Sequence, residues 1–156
     1  MIQEEKELLL KDLSARLPYG VKVQYNNEIY NIDYISVLYE EVKLDIPDNY
    51  TIGISEVKPY LRPMSSMTEE EKKDLLVTTV GNEGPKHFRV LQDGSIDNTD
   101  ATIQDLNKFN MHWVNFDKDT VTLYLDWLNA HHFDYRGLIE KGLAIEVTKE
   151  NNVYKD

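Results

Sequence analysis

Gly20-Val21-Lys22-Val23-Gln24-Tyr25-Asn26-Asn27-Glu28-Ile29-Tyr30 is the stretch whose reading decides the fold. Val21, Val23 and Tyr25 alternate with Lys22 and Gln24, a period of two that predicts a strand with one buried face. Asn26-Asn27 then marks a turn, since asparagine accepts the backbone angles that turns demand. The pattern repeats downstream. Ile29 to Tyr39 is a long β-branched and aromatic run, one bent strand or two. Val42, Leu44 and Ile46 alternate up to Pro47-Asp48-Asn49, and Tyr50, Ile52 and Ile54 give the next strand. Short strands with turns every ~8–12 residues predict a small antiparallel barrel or sandwich, and we favour an SH3-like barrel.

The tyrosines of this region, Tyr25, Tyr30, Tyr34 and Tyr39, could form a stacking platform for single-stranded nucleic acid. Such a platform needs basic neighbours, and the neighbours here are Glu28, Asp33, Glu40 and Glu41. They are read as barrel wall. The formal charge of the chain is −11, so its field opposes phosphate binding and a nucleic-acid partner is disfavoured.

Upstream, Glu4 to Leu17 predicts a helix. Ile2, Leu9, Leu10, Leu13 and Leu17 share a face, acids occupy its first turn, Arg16 lies near its end, and Pro18 stops it. Downstream, Glu56 to Met64 is held extended by Pro59 and Pro63 and reads as a link. Thr68 with Glu71 is a capping box that starts a helix from Glu69 to about Val77. Phe88 to Leu91 reads as a strand, with Asp93-Gly94 as its turn and Ile96 on the return. Asp93, Ser95, Asp97 and Thr99 alternate like a calcium loop, but Asn98 and Gln104 stand where such a loop needs glycine and glutamate. A modest helix is expected from Ala101 to Phe109, then an extended apolar segment with Met111, Trp113, Val114 and Phe116. The expected fold class is α+β. An N-terminal helix and small β barrel fill residues 1–66, and a mainly helical part with a short β element fills 67–156, with or without a shared core.

Aromatic, titratable and cationic groups crowd together most closely between Asp126 and Ala144. Thr120 to His132 reads as an amphipathic helix with Val121, Tyr124, Leu125, Leu128 and His132 on one face, and His131 and His132 in its last turn. Leu143, Ile145 and Val147 alternate as a closing strand. Adjacent helical histidines diverge by ~100°, so they do not share a metal readily. No metal or other cofactor is expected. A hydrolase would use His131 or His132 with Asp134 as an acid–base pair. A protein-interaction face would use Trp127, His131, His132, Phe133, Asp134, Tyr135 and Arg136, with Tyr60 and Arg62, because Trp, Tyr and Arg dominate binding hot spots. A packing role for the same residues is the third reading. No phosphate loop, nucleophile elbow or paired-carboxylate signature is present, so a non-enzymatic interaction module with a protein partner is favoured over the hydrolase.

At 156 residues the chain is long enough to bury a core without staples, and it has no cysteine for a disulfide framework. The acidic start, Met1-Ile2-Gln3-Glu4-Glu5, is unlike a signal peptide, and Leu8-Leu9-Leu10 is too short for a membrane segment. A cytoplasmic location without membrane contact is expected. Three segments, Leu8 to Val21, Glu56 to Glu71 and Asp126 to Ala144, together resemble a family of small uncharacterised proteins common in gut Bacteroidetes and their prophages. The resemblance implies a cytoplasmic, mobile-element origin and assigns no activity, cofactor or catalytic residue.

Overall fold

The structure is a computed structural model that describes residues 1–47, 51–82, 88–98 and 118–155. The fold is α+β. The chain divides into two compact units, Met1–Pro63 with His132–Asp156, and Met64–His131. The sequence reading cuts the chain once, after residue 66. Instead the last segment returns to the first unit, because it supplies a strand and buried side chains there. The expected helix at 101–109 and the apolar segment at 111–116 lie outside the described residues.

In the first unit, α1 (Gln3–Arg16) starts where the Glu5 carboxylate accepts the Ile2 amide at 2.9 Å. It ends in a 3-10 turn at Leu17–Tyr19, because Pro18 cannot continue the helix and Gly20 takes a left-handed φ of 67°. Leu9, Leu10 and Leu13 are buried on its inner face, each contributing roughly 1.5–3 kcal/mol relative to exposure.

Six strands lie beside it: β1 (Lys22–Tyr25), β2 (Glu28–Ser36), β3 (Glu41–Leu44), β4 (Ile52–Gly53), β5 (Lys58–Leu61) and β8 (Ile145–Glu146), in the order β4-β3-β2-β1-β5-β8. β1 and β2 form a hairpin in which Tyr25 faces Glu28. Its two turn residues, Asn26 and Asn27, have φ of 49° and 65°, the primed turn that matches strand twist. The long β2 shifts register between Ile32 and Tyr34, where it leaves one neighbour set for the next. Ile54–Glu56 forms a 3-10 turn rather than the continuation of a strand, and β5 then returns to β1, Val23 opposite Pro59. β8 adds in parallel to the far side of β5. Alternation puts Val21, Val23, Val42, Leu44 and Ile52 inward, where they meet Leu9, Leu13, Leu138 and Leu143 in one core. The sheet is open: among the described residues no pairing joins β4 to β8.

In the second unit, α2 (Glu69–Val80) begins at the capping box the sequence predicts. Glu71 N donates to Thr68 Oγ1 at 3.2 Å and Thr68 N to Glu71 Oε2 at 2.8 Å. β6 (Phe88–Val90) and β7 (Ile96–Asn98) form a hairpin, and α3 (Lys118–Ala130) packs on α2. At the hairpin turn Gly94 has φ 83°, and its carbonyl accepts the Tyr124 hydroxyl at 2.8 Å. Asp93 Oδ1 accepts both the amide and the hydroxyl of Ser95, and Asp97 pairs with Arg89. These carboxylates serve the hairpin itself. Of the face read in the sequence, Leu128 is buried, Tyr124 and Leu125 are half-buried and Val121 is exposed, while Trp127 and Asn129 are buried beside it. Among the described residues no helix is long and apolar enough to cross a membrane.

Candidate interaction surface

The aromatic run is shared between the units. Trp127 and His131 belong to the second. The Trp127 side chain is only 6 % exposed, and its Nε1–H donates to Asp74 Oδ2 at 2.8 Å. The His131 ring stacks on the indole at 3.8 Å, and its Nδ1 lies 2.8 Å from Trp127 O. A carbonyl can only accept, so Nδ1 carries the proton and adds a second bond to Trp127 O, which also accepts the His131 amide at 3.1 Å. The histidines follow the helix rather than filling its last turn, and His132 takes a left-handed φ of 59°.

The other seven residues belong to the first unit, where two segments clasp. Arg62 N donates to His132 O and Asp134 N to Arg62 O, both at 2.8 Å, so Arg62 and Phe133 form a parallel bridge. The Arg62 guanidinium lies 4.2 Å from the centre of the Phe133 ring. Phe133 and Tyr60 are buried, and the Tyr60 hydroxyl accepts from Gln24 Nε2 at 3.3 Å. Asp134 is buried, and its two oxygens accept the amides of Leu138 and Ile139 at 2.9 and 2.8 Å. That carboxylate fastens a turn. His132 is buried and stacks on Tyr154 at 3.8 Å. The structure thus brings Tyr60 and Arg62 to the run, as the sequence grouped them, Tyr60 buried and Arg62 half-buried.

Arg136 leads to a cluster that the sequence reading missed. Asp12 and Arg16 are both fully buried on α1. Arg16 donates to Asp12 through Nε (2.8 Å) and Nη2 (3.0 Å), and to Phe133 O at 2.7 Å. Arg136 Nη1 reaches the same carboxylate at 2.8 Å. The two guanidinium groups lie 5.5 and 4.5 Å from the centre of the Tyr135 ring. Only the i,i+4 spacing of Asp12 and Arg16 was available as a signal. Beside the cluster, the Tyr154 hydroxyl accepts from Lys22 N at 3.1 Å and donates to Tyr60 O at 2.8 Å. Burial pushes this phenol up to about 12, against the opposing pull of the Lys22 amide and Arg16.

Arg62, His131, Tyr135 and Arg136 are half-buried, and the most exposed apolar side chains among the described residues lie elsewhere. Between β2 and β3, Val37, Leu38 and Tyr39 are 65, 81 and 71 % exposed. Three adjacent apolar side chains in water are unusual for a turn, where polar residues are the norm. The turn is braced. Glu40 takes a left-handed φ of 53°, its carbonyl accepts Ile54 N at 2.8 Å, and Tyr39 N donates to Ser36 Oγ at 3.4 Å. The Glu40 carboxylate accepts from Gln3 Nε2 at 2.7 Å and Lys6 Nζ at 2.9 Å. Those two bonds, Gln3 first, hold it below the ordinary carboxylate range. Of the four tyrosines read as wall, Tyr25 and Tyr30 pack on the core, whereas Tyr34 and Tyr39 face solvent.

In the second unit an open depression of about 590 Å³ is lined by Thr68, Glu70, Glu71, Lys73, Asp74 and Val77, all on or beside α2. The sequence-selected residues are not among them. Among the described residues no group of three or more His, Asp or Glu side chains is placed to hold a metal ion. Neither family models, nor curated proteins, nor solved structures gave a match to this chain.

Proposed function

We propose that this chain is a non-enzymatic, cytoplasmic protein-interaction module, and that its likeness to small proteins of gut Bacteroidetes and their prophages marks a mobile-element origin. The first unit acts as an SH3-like scaffold. In support, β1 to β4 form a meander, a 3-10 turn follows, and β5 returns to β1. The observation that carries the interaction reading is the braced, solvent-facing Val37-Leu38-Tyr39 turn. A turn whose backbone is held before contact loses less entropy on binding than a loose one, which is what makes a knob effective. The contact surface moves from the aromatic run to this turn, because Trp127, Phe133 and Tyr60 are spent on internal packing. The hydrolase alternative needs Asp134 beside an imidazole, whereas the two amides that Asp134 accepts give it a turn-fastening role.

A photo-crosslinking amino acid placed at Leu38, with a matched one at exposed Lys141 as control, tests the reading in a host lysate. We expect a discrete adduct from position 38 that disappears when Val37 and Tyr39 become serine. The same adducts from both positions would remove the support.

A further inference from the structure

We infer that the Val37-Leu38-Tyr39 turn, together with the acids that surround its brace, recognises a cationic amphipathic segment of a protein partner; this rests on the interaction reading above. The three residues expose roughly 400 Å², the size of the largest apolar patch on a typical monomer, which is often a functional one. A standard footprint is about 800 Å² per partner, so the knob covers about half of one. The remainder falls on what flanks it.

Those flanks are traced by hydrogen bonds. Glu40 bonds Gln3 and Lys6, and Gln3 Nε2 reaches Glu7 Oε1 at 3.5 Å. This ties the turn to the first turns of α1, where Glu4 and Glu7 are exposed. Glu41 follows Glu40 and accepts the Thr51 hydroxyl at 2.8 Å. Glu40 and, through Gln3, Glu7 are thus tied to the knob, Glu41 follows Glu40 in the chain, and Lys6 is ion-paired to Glu40.

Leucine and tyrosine rimmed by carboxylates suit a partner that is apolar at its centre and basic at its rim. The whole-chain charge of −11 draws such a partner in. The same charges repel a second copy of the chain and an anionic lipid surface. The occupant is therefore a Leu/Lys-type segment, not a phosphate-bearing surface.

Fluorescence anisotropy at about 0.15 M salt with three labelled synthetic peptides of equal length tests this on the full chain. One is an amphipathic Leu/Lys helix, one the same helix with Glu for Lys, and one a Lys/Gln peptide of equal charge without leucine. We expect the Leu/Lys peptide to bind at least about tenfold tighter than either other peptide. Leu38→Ser with Tyr39→Ser should remove that preference, and Glu7→Gln with Glu41→Gln should weaken binding and flatten its salt dependence. Equal binding of the Leu/Lys and Lys/Gln peptides, or binding indifferent to the Leu38 and Tyr39 changes, overturns the proposal. So does self-association, or adsorption to anionic vesicles, that the same changes abolish. If the Leu38 crosslink is specific while the peptides are not distinguished, the partner chemistry fails and the interaction reading stands. If the crosslink also fails, both fall.

Discussion

Replacing Asp12 with alanine should be among the most damaging single changes to the first unit. The carboxylate is fully buried and accepts three bonds, two from Arg16 and one from Arg136. Arg16 is itself fully buried, so it cannot turn to water when its partner goes. A guanidinium does not shed its proton at accessible pH. Truncating one partner of a buried pair costs about 3–5 kcal/mol, mostly the penalty of leaving the other charge enclosed. Against a typical total of about 5–15 kcal/mol, that brings the unit close to unfolding. Arg136 adds less to the loss, because its side chain keeps 14 % of its surface in water. Urea melts followed by far-ultraviolet circular dichroism would show a lower midpoint at an unchanged slope. The diagnostic variant is Asp12→Leu with Arg16→Met, which removes both charges and keeps apolar volume. It should recover at least half of the loss, since well-packed apolar replacements of buried pairs are often neutral. An alanine variant that loses less than about 1 kcal/mol, or a double variant no more stable than it, would refute this account of the cluster.

Tyr154→Phe should alter how stability depends on alkaline pH. The folded phenol titrates at about 12, above its ordinary value of 10, so its contribution is complete below pH 10 and is lost as the pH rises through 12. Melts at increasing pH should fall more steeply for the native chain than for the phenylalanine variant, and equal slopes would count against the assignment. Gly94→Ala should destabilise the second unit by about 1–2 kcal/mol through the left-handed backbone. Its Cβ would also lie 1.9 Å from Met64 Cε, which must swing away. Hydrogen exchange at the β6–β7 amides would report it, and unchanged protection would contradict it.

Local chemistry was legible in the sequence. Asn26-Asn27, the Thr68–Glu71 box and the Asp93-Gly94 turn are each fixed by residues within four positions of one another, and each formed as read. Alternation found the buried face of the sheet for the same reason. What spacing could not reveal was which polar residues go inside. Asp12 and Arg16 look like an ordinary surface i,i+4 pair, and only Phe133 O and Arg136, far along the chain, make them interior. The aromatic run is divided, with Trp127 and Phe133 inside and Tyr135 and Arg136 half-buried. Trp127 and Phe133 are as suited to a core as to a contact, and composition does not distinguish the two. Val37 to Tyr39 read as strand because they continue a run of β-branched, aromatic and other apolar residues, yet β2 ends at Ser36 and the turn that follows holds them in solvent. The division of the chain was also hidden, since pairing of Arg62 with Phe133 leaves no mark in either segment alone.

That pairing bears on how the protein is made. A ribosome delivers residues 1–63 first and their last partners, Phe133, Leu138 and Tyr154, only after all of 64–131 has emerged. At ordinary elongation rates the interval is on the order of ten seconds. Throughout it the nascent first unit lacks the ring that covers Arg62 and the hydroxyl that bridges Lys22 to Tyr60. The second unit, whose residues are contiguous, can complete itself in that time. Synthesis therefore runs inside out: the middle of the chain matures while its flanks wait for each other.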